Sequence, residues 1–263
     1  MENQNKNIDE GFSKIYEEYE KVNSTIIHKY MRKRVHSHLD KFLIKGDEIF
    51  EINSGSGIDA VYLAKQGYNV FATDISSGFE KYLSLKIEKE NLKSYIEYKK
   101  LSFVELQTID DRKFDYIFSN FGGLNCIDDL EKVFYDFSGL LKKDGRVTLV
   151  IMPKLCPWEW LWFFKNKKRA FRRLSEKPIL ANIEGENVQT WYHSHSKVKS
   201  ILKKKFDVLK IENIGFFAPI GSSEKFAKKH NVIFKILYFL DEKLQRIMPK
   251  GIGDYYVITL RKK

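Results

Sequence analysis

Only two cysteines, Cys126 and Cys156, occur in 263 residues, too few for a disulfide framework or a zinc cage. The opening stretch, MENQNKNIDE, has no apolar core of the kind a secretory signal needs, so the cytoplasm is the expected compartment. Long apolar runs are missing as well. The best candidates, WEWLWFF and VIFKILYFL, are short and carry charge, which argues against a spanning helix. No internal repeat and no low-complexity linker is visible. The chain is also short of acid: 46 lysines and arginines stand against 35 aspartates and glutamates, a net charge of +11. Such a balance can attract nucleic acid, an anionic membrane or an acidic substrate. Here the excess is spread over many segments, as it is where lysine is simply the favoured surface residue. Nucleic acid is therefore a disfavoured partner, peripheral membrane contact stays open, and oligomeric state cannot be read.

What is present describes a soluble globule, with 43% hydrophobic and 31% charged residues. The length suits one large domain or a domain with a cap. From Asp47 to Val150, strand-like runs alternate with helix-like segments. EIFEIN, YNVFATD, YIEYKKL, FDYIFSNF and GRVTLVIM read as five strands, with helices predicted at 58–66, 77–90 and 128–141. Alternation of this kind predicts a parallel sheet covered by helices on both faces. After Met152 the rhythm breaks. Residues 153–195 are rich in Trp, Phe and basic side chains; a helix at 196–205 and a strand, FDVLKIE, follow; a second irregular block, 214–251, precedes a last strand, DYYVITL. The expected division is a helical segment over 1–46, with YEEYEKV and IIHKYMRKRVHSHLDKFL as its helices, and a domain over 47–263 carrying insertions at 153–195 and 214–251.

IFEINSGSGIDA, residues 49–60, holds the feature with most chemistry. Gly55-Ser56-Gly57-Ile58-Asp59-Ala60 fits the G-x-G-x-x-G/A fingerprint of dinucleotide-binding folds, and Asp74 ends the next strand at about the expected distance. Glycines let a backbone approach its ligand, and a helix N-terminus offers N–H donors. Several nucleotide cofactors are served by that loop. Glu51, two residues before the turn, favours a ligand with a positive end, and no second nucleotide-binding half follows the fifth strand.

The order of these signals resembles that of the class I S-adenosylmethionine (SAM)-dependent methyltransferases, over roughly residues 10–152 and again at the last two strands. Their acid, apolar residue and G-x-G-x-G look like EINSGSG, and their ribose-binding acid looks like Asp74 in ATDIS. The resemblance implies a Rossmann-like doubly wound α/β sheet with an antiparallel last strand, a helical N-terminal segment and a substrate cap after strand five. It implies SAM as methyl donor and S-adenosylhomocysteine as product. Glu51 would reach the methionine amino group through water, Gly55 and Gly57 would floor the cofactor, Asp74 would hold the ribose and Ile75 pack on the adenine. Ser102 and Phe103 would face the adenine, Ser119 and Asn120 would border the methionine end, and Tyr16 and Tyr19 resemble tyrosines that close over the donor. Two positions depart from the pattern. Asn53 replaces the first glycine, where a positive φ is expected and Asn is tolerated. Ser102 replaces an acid.

The implied reaction is methyl transfer to the oxygen or nitrogen of a small molecule. No Asn/Asp-Pro-Pro-Tyr signature follows strand four, where SNFGGLNC stands instead. No catalytic cysteine motif and no carboxylate cluster for a metal is evident, so no metal site is expected. PWEWLWFFKNKKRAFRR combines aromatic bulk with Arg169, Arg172 and Arg173, fitting a lid over an aromatic or anionic substrate, the core of a cap, or a membrane interface. His193 is the general base that sequence order suggests. A SAM-binding protein without activity, an RNA methyltransferase and a lipid methyltransferase are the alternatives.

Overall fold

The computed structural model describes residues 21–109, 111–183 and 186–263. Tyr16 and Tyr19, and most of the first expected helix, lie outside the described residues. The second expected helix is α1 (Ile26–Leu39), whose buried residues Ile27, Met31, Val35 and Leu39 recur at helical spacing. Then β1 (Glu48–Ile52), α2 (Ile58–Lys65), β2 (Asn69–Asp74), α3 (Ser77–Lys89), β3 (Ile96–Lys100), β4 (Phe114–Ser119), α4 (Leu130–Leu140) and β5 (Leu141–Ile151) follow.

Alternation along β1 sorts its side chains into two layers. Phe50 and Ile52 join the core under α4, which supplies Val133, Phe134 and Phe137. Ile49 joins the opposite core, built from α1, α2 (Ala60, Leu63) and α3 (Leu83, Ile87). Phe50, Phe71 and Phe114 meet at centroid distances of 4.9–5.7 Å, so three adjacent strands share one aromatic seam. By the same alternation Glu51 is turned toward the layer of α1 and α2.

The sheet has seven strands in the order β3-β2-β1-β4-β5-β9-β8, where β8 is Phe206–Ile214 and β9 is Tyr255–Lys262. The first five are parallel; β9 runs antiparallel to both β5 (Leu149↔Ile258) and β8 (Ile211↔Ile258). The expected doubly wound sheet with an antiparallel last strand is therefore present. Strand order reverses between β1 and β4, so the loops leaving their C-terminal ends part company and open a crevice there.

The block after β5 carries two single-turn helices, α5 (Pro157–Trp160) and α6 (Lys167–Ala170), and a separate hairpin, β6 (Ile179–Ile183) with β7 (Glu186–Thr190). Next comes α7 (His195–Leu202), expected one residue later; the Ser194 hydroxyl takes the Lys197 N–H at 3.2 Å and starts it at His195. The second block holds α8 (Glu224–Lys229) and α9 (Asn231–Lys243). It is tied to α1 by Glu224, whose carboxylate accepts the N–H groups of Ile26 and Ile27 at 3.1 and 3.2 Å, satisfying donors that a first helical turn leaves open.

Candidate active site

The turn after β1 is shaped by three residues in the left-handed region: Asn53 at φ +58°, Gly55 at +53° and Gly57 at +72°. Asn53 takes the positive φ expected of it, and its side chain does more than tolerate that geometry. Its Nδ2 donates to Ser119 Oγ at 2.9 Å, and a Cβ on Gly123 would come within 2.6 Å of the Asn53 Cβ. The amide thus bridges the ends of β1 and β4 and leaves no room for a side chain at 123. Gly57 caps α2, and a Cβ there would sit 2.2 Å from Leu83. Asp74, at the end of β2, accepts from Gly55 N at 2.8 Å and Ser76 N at 3.0 Å. It therefore holds the glycine turn against the start of α3.

These residues stand at one end of a cavity of about 610 Å³. Of the twelve expected site residues, Asn53, Gly55, Asp74, Ile75, Phe103 and Asn120 line it, while Glu51, Gly57, Ser102, Ser119 and His193 do not. Tyr19 lies outside the described residues. Ser119 acts on the lining from behind, through Asn53, while Gly57 packs against Leu83 in the core. Ser102 is buried, and its hydroxyl accepts from Val104 N at 3.4 Å.

Glu51 and Asp59 make a buried electrostatic knot behind the loop. Asp59, in the first turn of α2, pairs with Arg32, receives Asn120 Nδ2 at 2.8 Å and lies 2.7 Å from His36 Nε2. Arg32 also donates to Asn23 Oδ1 at 2.6 Å, and its guanidinium sits 4.7 Å from the centre of the Phe121 ring. Burial works against an Asp59 anion, but the Arg32 charge and the His36 bond outweigh it and hold the carboxyl well below the usual range. Glu51 goes the other way: burial, reinforced by the Asp59 charge, pushes it well above the usual value. Its Oε2 finds no hydrogen-bond partner among the described residues. Sequence reasoning missed Asp59. The available signal was an acid in the first turn after the glycines, together with Arg32 and His36 spaced i, i+4 on α1.

The other end of the cavity is roofed by the post-β5 block and floored by α1 and β9. Val188 of β7 packs on Cys126 and Ile75, so the hairpin reaches across to the expected donor end. Burial pushes the Cys126 thiol up to about 12, which leaves it uncharged and unreactive at neutral pH. Arg173 pins the roof to the sheet, donating to Glu159 at 2.9 Å and to Asp254 at 2.7 Å, and Arg172 forks onto Glu159 at 2.6 and 3.0 Å. Both acids in this corner are thereby matched. Arg169 also lines the cavity; its guanidinium lies 4.0 Å from the Trp162 ring centre, and it has no carboxylate partner among the described residues.

His193 is turned away. Its Nε2 donates to the Ile127 carbonyl at 2.8 Å and its backbone N–H to Met152 O at 3.1 Å, while burial lowers its pKa to about 4. The ring ties the stretch before α7 to the loop before α4, and the expectation of a base at this position gives way to that role. His28 of α1 lines the cavity instead. Its Nδ1 is 2.7 Å from Thr25 Oγ1, and burial, helped by Arg32, lowers its pKa. Nothing local in the sequence marks it, since the contact joins α1 to the Gly221 loop.

No helix among the described residues is long and apolar enough to cross a membrane, and no group of three or more His, Cys, Asp or Glu is placed to hold a metal. No curated protein matches the chain. Solved structures do. A SAM-dependent methyltransferase from Methanosarcina mazei superposes with a TM-score of 0.60 at 18% identity, covering 85% of this chain and 96% of that one. Geranyl diphosphate C-methyltransferase from Streptomyces coelicolor A3(2), in complex with a thiolodiphosphate analogue and S-adenosylhomocysteine, gives 0.61 at 13% identity over 93% and 80%. Phosphoethanolamine N-methyltransferase 2 from Haemonchus contortus, with phosphomonomethylethanolamine and S-adenosylhomocysteine, gives 0.60 at 18% over 88% and 52%, so this chain spans about half of it. Identities this low establish the fold alone. The sequence model of the family described as Methyltransferase domain matches residues 50–149, from β1 through most of β5. Residues 50–149 thus match the methyltransferase-domain family, and the chain has the fold of the class I SAM-dependent methyltransferases.

Proposed function

We propose that the protein transfers a methyl group from SAM to an oxygen or nitrogen of a small-molecule acceptor. The observation that carries this reading is one continuous cavity, with Gly55, Asp74, Ile75 and Phe103 at one end and His28, Arg169 and Tyr192 at the other. Its volume of about 610 Å³ suits small ligands rather than a macromolecular strand. The chain's own residues fit the donor. A glycine turn whose Gly55 lines the cavity, and an acid on the cavity wall at the end of β2 that holds that turn, match a ligand with a ribose.

Asp74 would hold the ribose hydroxyls, with Ile75 and Phe103 flanking the adenine. Asn53 and Asn120 would border the methionine end, with Glu51 and Asp59 behind them setting its potential. When bound, SAM supplies a methyl group on a positively charged sulfur. The protein's contribution is chiefly to align the acceptor and exclude water. Arg173, through Glu159 and Asp254, keeps the roof in place for that purpose. For an acceptor whose nucleophile carries a proton, His28 Nε2 is available, since a lowered pKa keeps the ring neutral at pH 7. Arg169 favours an acceptor bearing a carboxylate or phosphate. Diphosphate and phosphoamine compounds in two similar structures accord with this.

Calorimetric titration tests the first half: one SAM bound per chain is expected, and binding of NAD without SAM would overturn the reading. Release of S-adenosylhomocysteine across a panel of anionic and neutral small acceptors tests the second. Binding without turnover on any acceptor would leave a SAM-binding protein.

A further inference from the structure

The post-β5 roof presents its other side to solvent, and that side is unusually apolar. Leu161 is 68% exposed and Phe164 94%, beside Trp160, Phe163 and Phe171. Scattered exposed apolar residues are ordinary, but contiguous ones rimmed by polar groups mark an interaction site. Here they are held in a built arrangement: Phe163 contacts Phe164 and Phe171 edge-on at 5.2 and 5.8 Å, and Lys167 stands 5.4 Å from the Phe163 ring centre. Residues 160–175 contain six basic side chains and no acid. Arg172 and Arg173 are matched by Glu159 and Asp254, which leaves Lys165, Lys167, Lys168 and Arg169 as its excess charge.

A second surface repeats the combination. One face of α9 is buried through Phe234 and Tyr238 against Tyr30 of α1. The opposite face carries Val232, Ile236 and Phe239, spaced i, i+4, i+7 and 73%, 54% and 56% exposed. From Glu224 to Lys250 there are seven basic residues against three acids. Two of those acids are engaged inward, Glu224 on the α1 backbone and Asp241 on the N–H groups of Gly215, Phe217 and Ala218. The two surfaces are mechanically linked. Trp158 of α5 lies 5.8 Å from the Phe226 ring of α8 and donates to the Phe217 carbonyl at 2.9 Å.

We infer that the apolar, basic face formed by residues 160–171 and the outer stripe of α9 docks the protein on an anionic lipid bilayer. Aromatic and aliphatic side chains set among an excess of lysines are what an interface of anionic headgroups and acyl chains rewards. Charge decides between occupants: a second copy of this chain would bring like charge to like charge, whereas an anionic membrane brings the complement. Leu180 and Arg169 line the cavity on the same roof, Leu180 being 65% exposed, so docking would set the acceptor end of the cavity near the lipid surface. The inference stands apart from the reaction proposed above and holds or fails without it.

Flotation of the full chain with phosphatidylglycerol–phosphatidylcholine vesicles in equal parts, against pure phosphatidylcholine, tests it. Binding to the anionic vesicles alone is expected, with loss at high salt and quenching of tryptophan fluorescence by brominated acyl chains. The paired substitutions Leu161→Asp with Phe164→Asp, and Ile236→Asp with Phe239→Asp, should each weaken partitioning by about tenfold or more. These positions are exposed, and unchanged circular dichroism and SAM titration confirm that each variant is folded. Absence of binding, equal binding to neutral vesicles, or indifference to both pairs would overturn it. So would light scattering that showed a dimer dissociated by the same substitutions, because the face would then be covered by a second copy.

Discussion

Replacing Asp59 by asparagine tests whether the buried knot behind the glycine turn holds α1 to the sheet. The substitution keeps shape and an acceptor oxygen but strips Arg32, whose side chain is 10% exposed, of its counter-charge. Removing one partner of a buried ion pair costs about 3–5 kcal/mol. Two features of this site reduce that figure. Asn23 still accepts from Arg32 at 2.6 Å, and Glu51, whose ionisation burial and the Asp59 charge both oppose, ionises more readily once that neighbouring charge is gone. A loss of about 2–3 kcal/mol is expected, seen as a fall in Tm of about 4–6 °C for a chain of this size. The pH dependence has a definite sign. Asp59 is depressed in the fold, so its contribution is full above its unfolded pKa of about 3.9 and is lost as pH falls through the lower folded value. Wild type and Asp59→Asn should thus converge in strong acid. Adding Arg32→Met should restore part of the loss, since no buried cation is then left without a counter-charge. Urea and thermal unfolding at neutral and acid pH are the assays. A Tm within about 1 °C of wild type, or strict additivity in the double variant, would refute the reasoning.

Asp74→Ala should weaken SAM by about 1.5–3 kcal/mol through lost charge-assisted bonds; an unchanged Kd by calorimetry would place the ribose elsewhere. Asn53→Gly should change SAM affinity and stability by less than about 1 kcal/mol, because relief of backbone strain offsets the lost bond to Ser119. Asn53→Val, β-branched at positive φ, should lose clearly more, and equal behaviour of the two would contradict the account of the turn. His28→Asn should lower kcat by about a hundredfold on an acceptor that must shed a proton and abolish the acid limb of its pH profile. In the wild type that limb should lie below the ordinary histidine value, since the ring's pKa is lowered and activity falls only where the ring takes up a proton. An acid limb that survived the substitution would remove His28 from proton transfer.

The half of the cavity beside the glycine turn was readable because it is local. Within one turn and the next strand, EINSGSG and ATDIS place Asn53, Gly55 and Asp74 on the cavity wall. Strand alternation was readable too, yet it works against Glu51, which the pleat turns toward α1 and α2 and away from the cavity. Tyr192 and His193 show the same rule in miniature. Neighbours in an extended stretch face opposite ways, so the tyrosine lines the cavity and the histidine reaches the Ile127 carbonyl. The half under the roof was not readable because its residues meet only after folding. His28 reaches the site when α1 docks on the Gly221 loop, and Arg173 finds Asp254 81 residues on, across α7, β8 and the whole second insertion. Asn53 was legible in its backbone and not in its side chain, whose partners Ser119 and Gly123 sit beyond another strand.

The place of β9 between β5 and β8 constrains the order of assembly. During synthesis β5 is made early, and the edge it offers stays unpaired until both irregular blocks and β8 have been made. β8 meanwhile has no strand to join, because its partner in the sheet is β9. Pairings so distant along the chain close slowly, and an open apolar strand edge is a template for association with other chains. The same gap makes the roof cheap to vary, since the entropy of closing a loop rises only with the logarithm of its length. A nascent chain would thus present a nearly finished glycine-turn half of the cavity beside a sheet edge that stays open until β9 arrives.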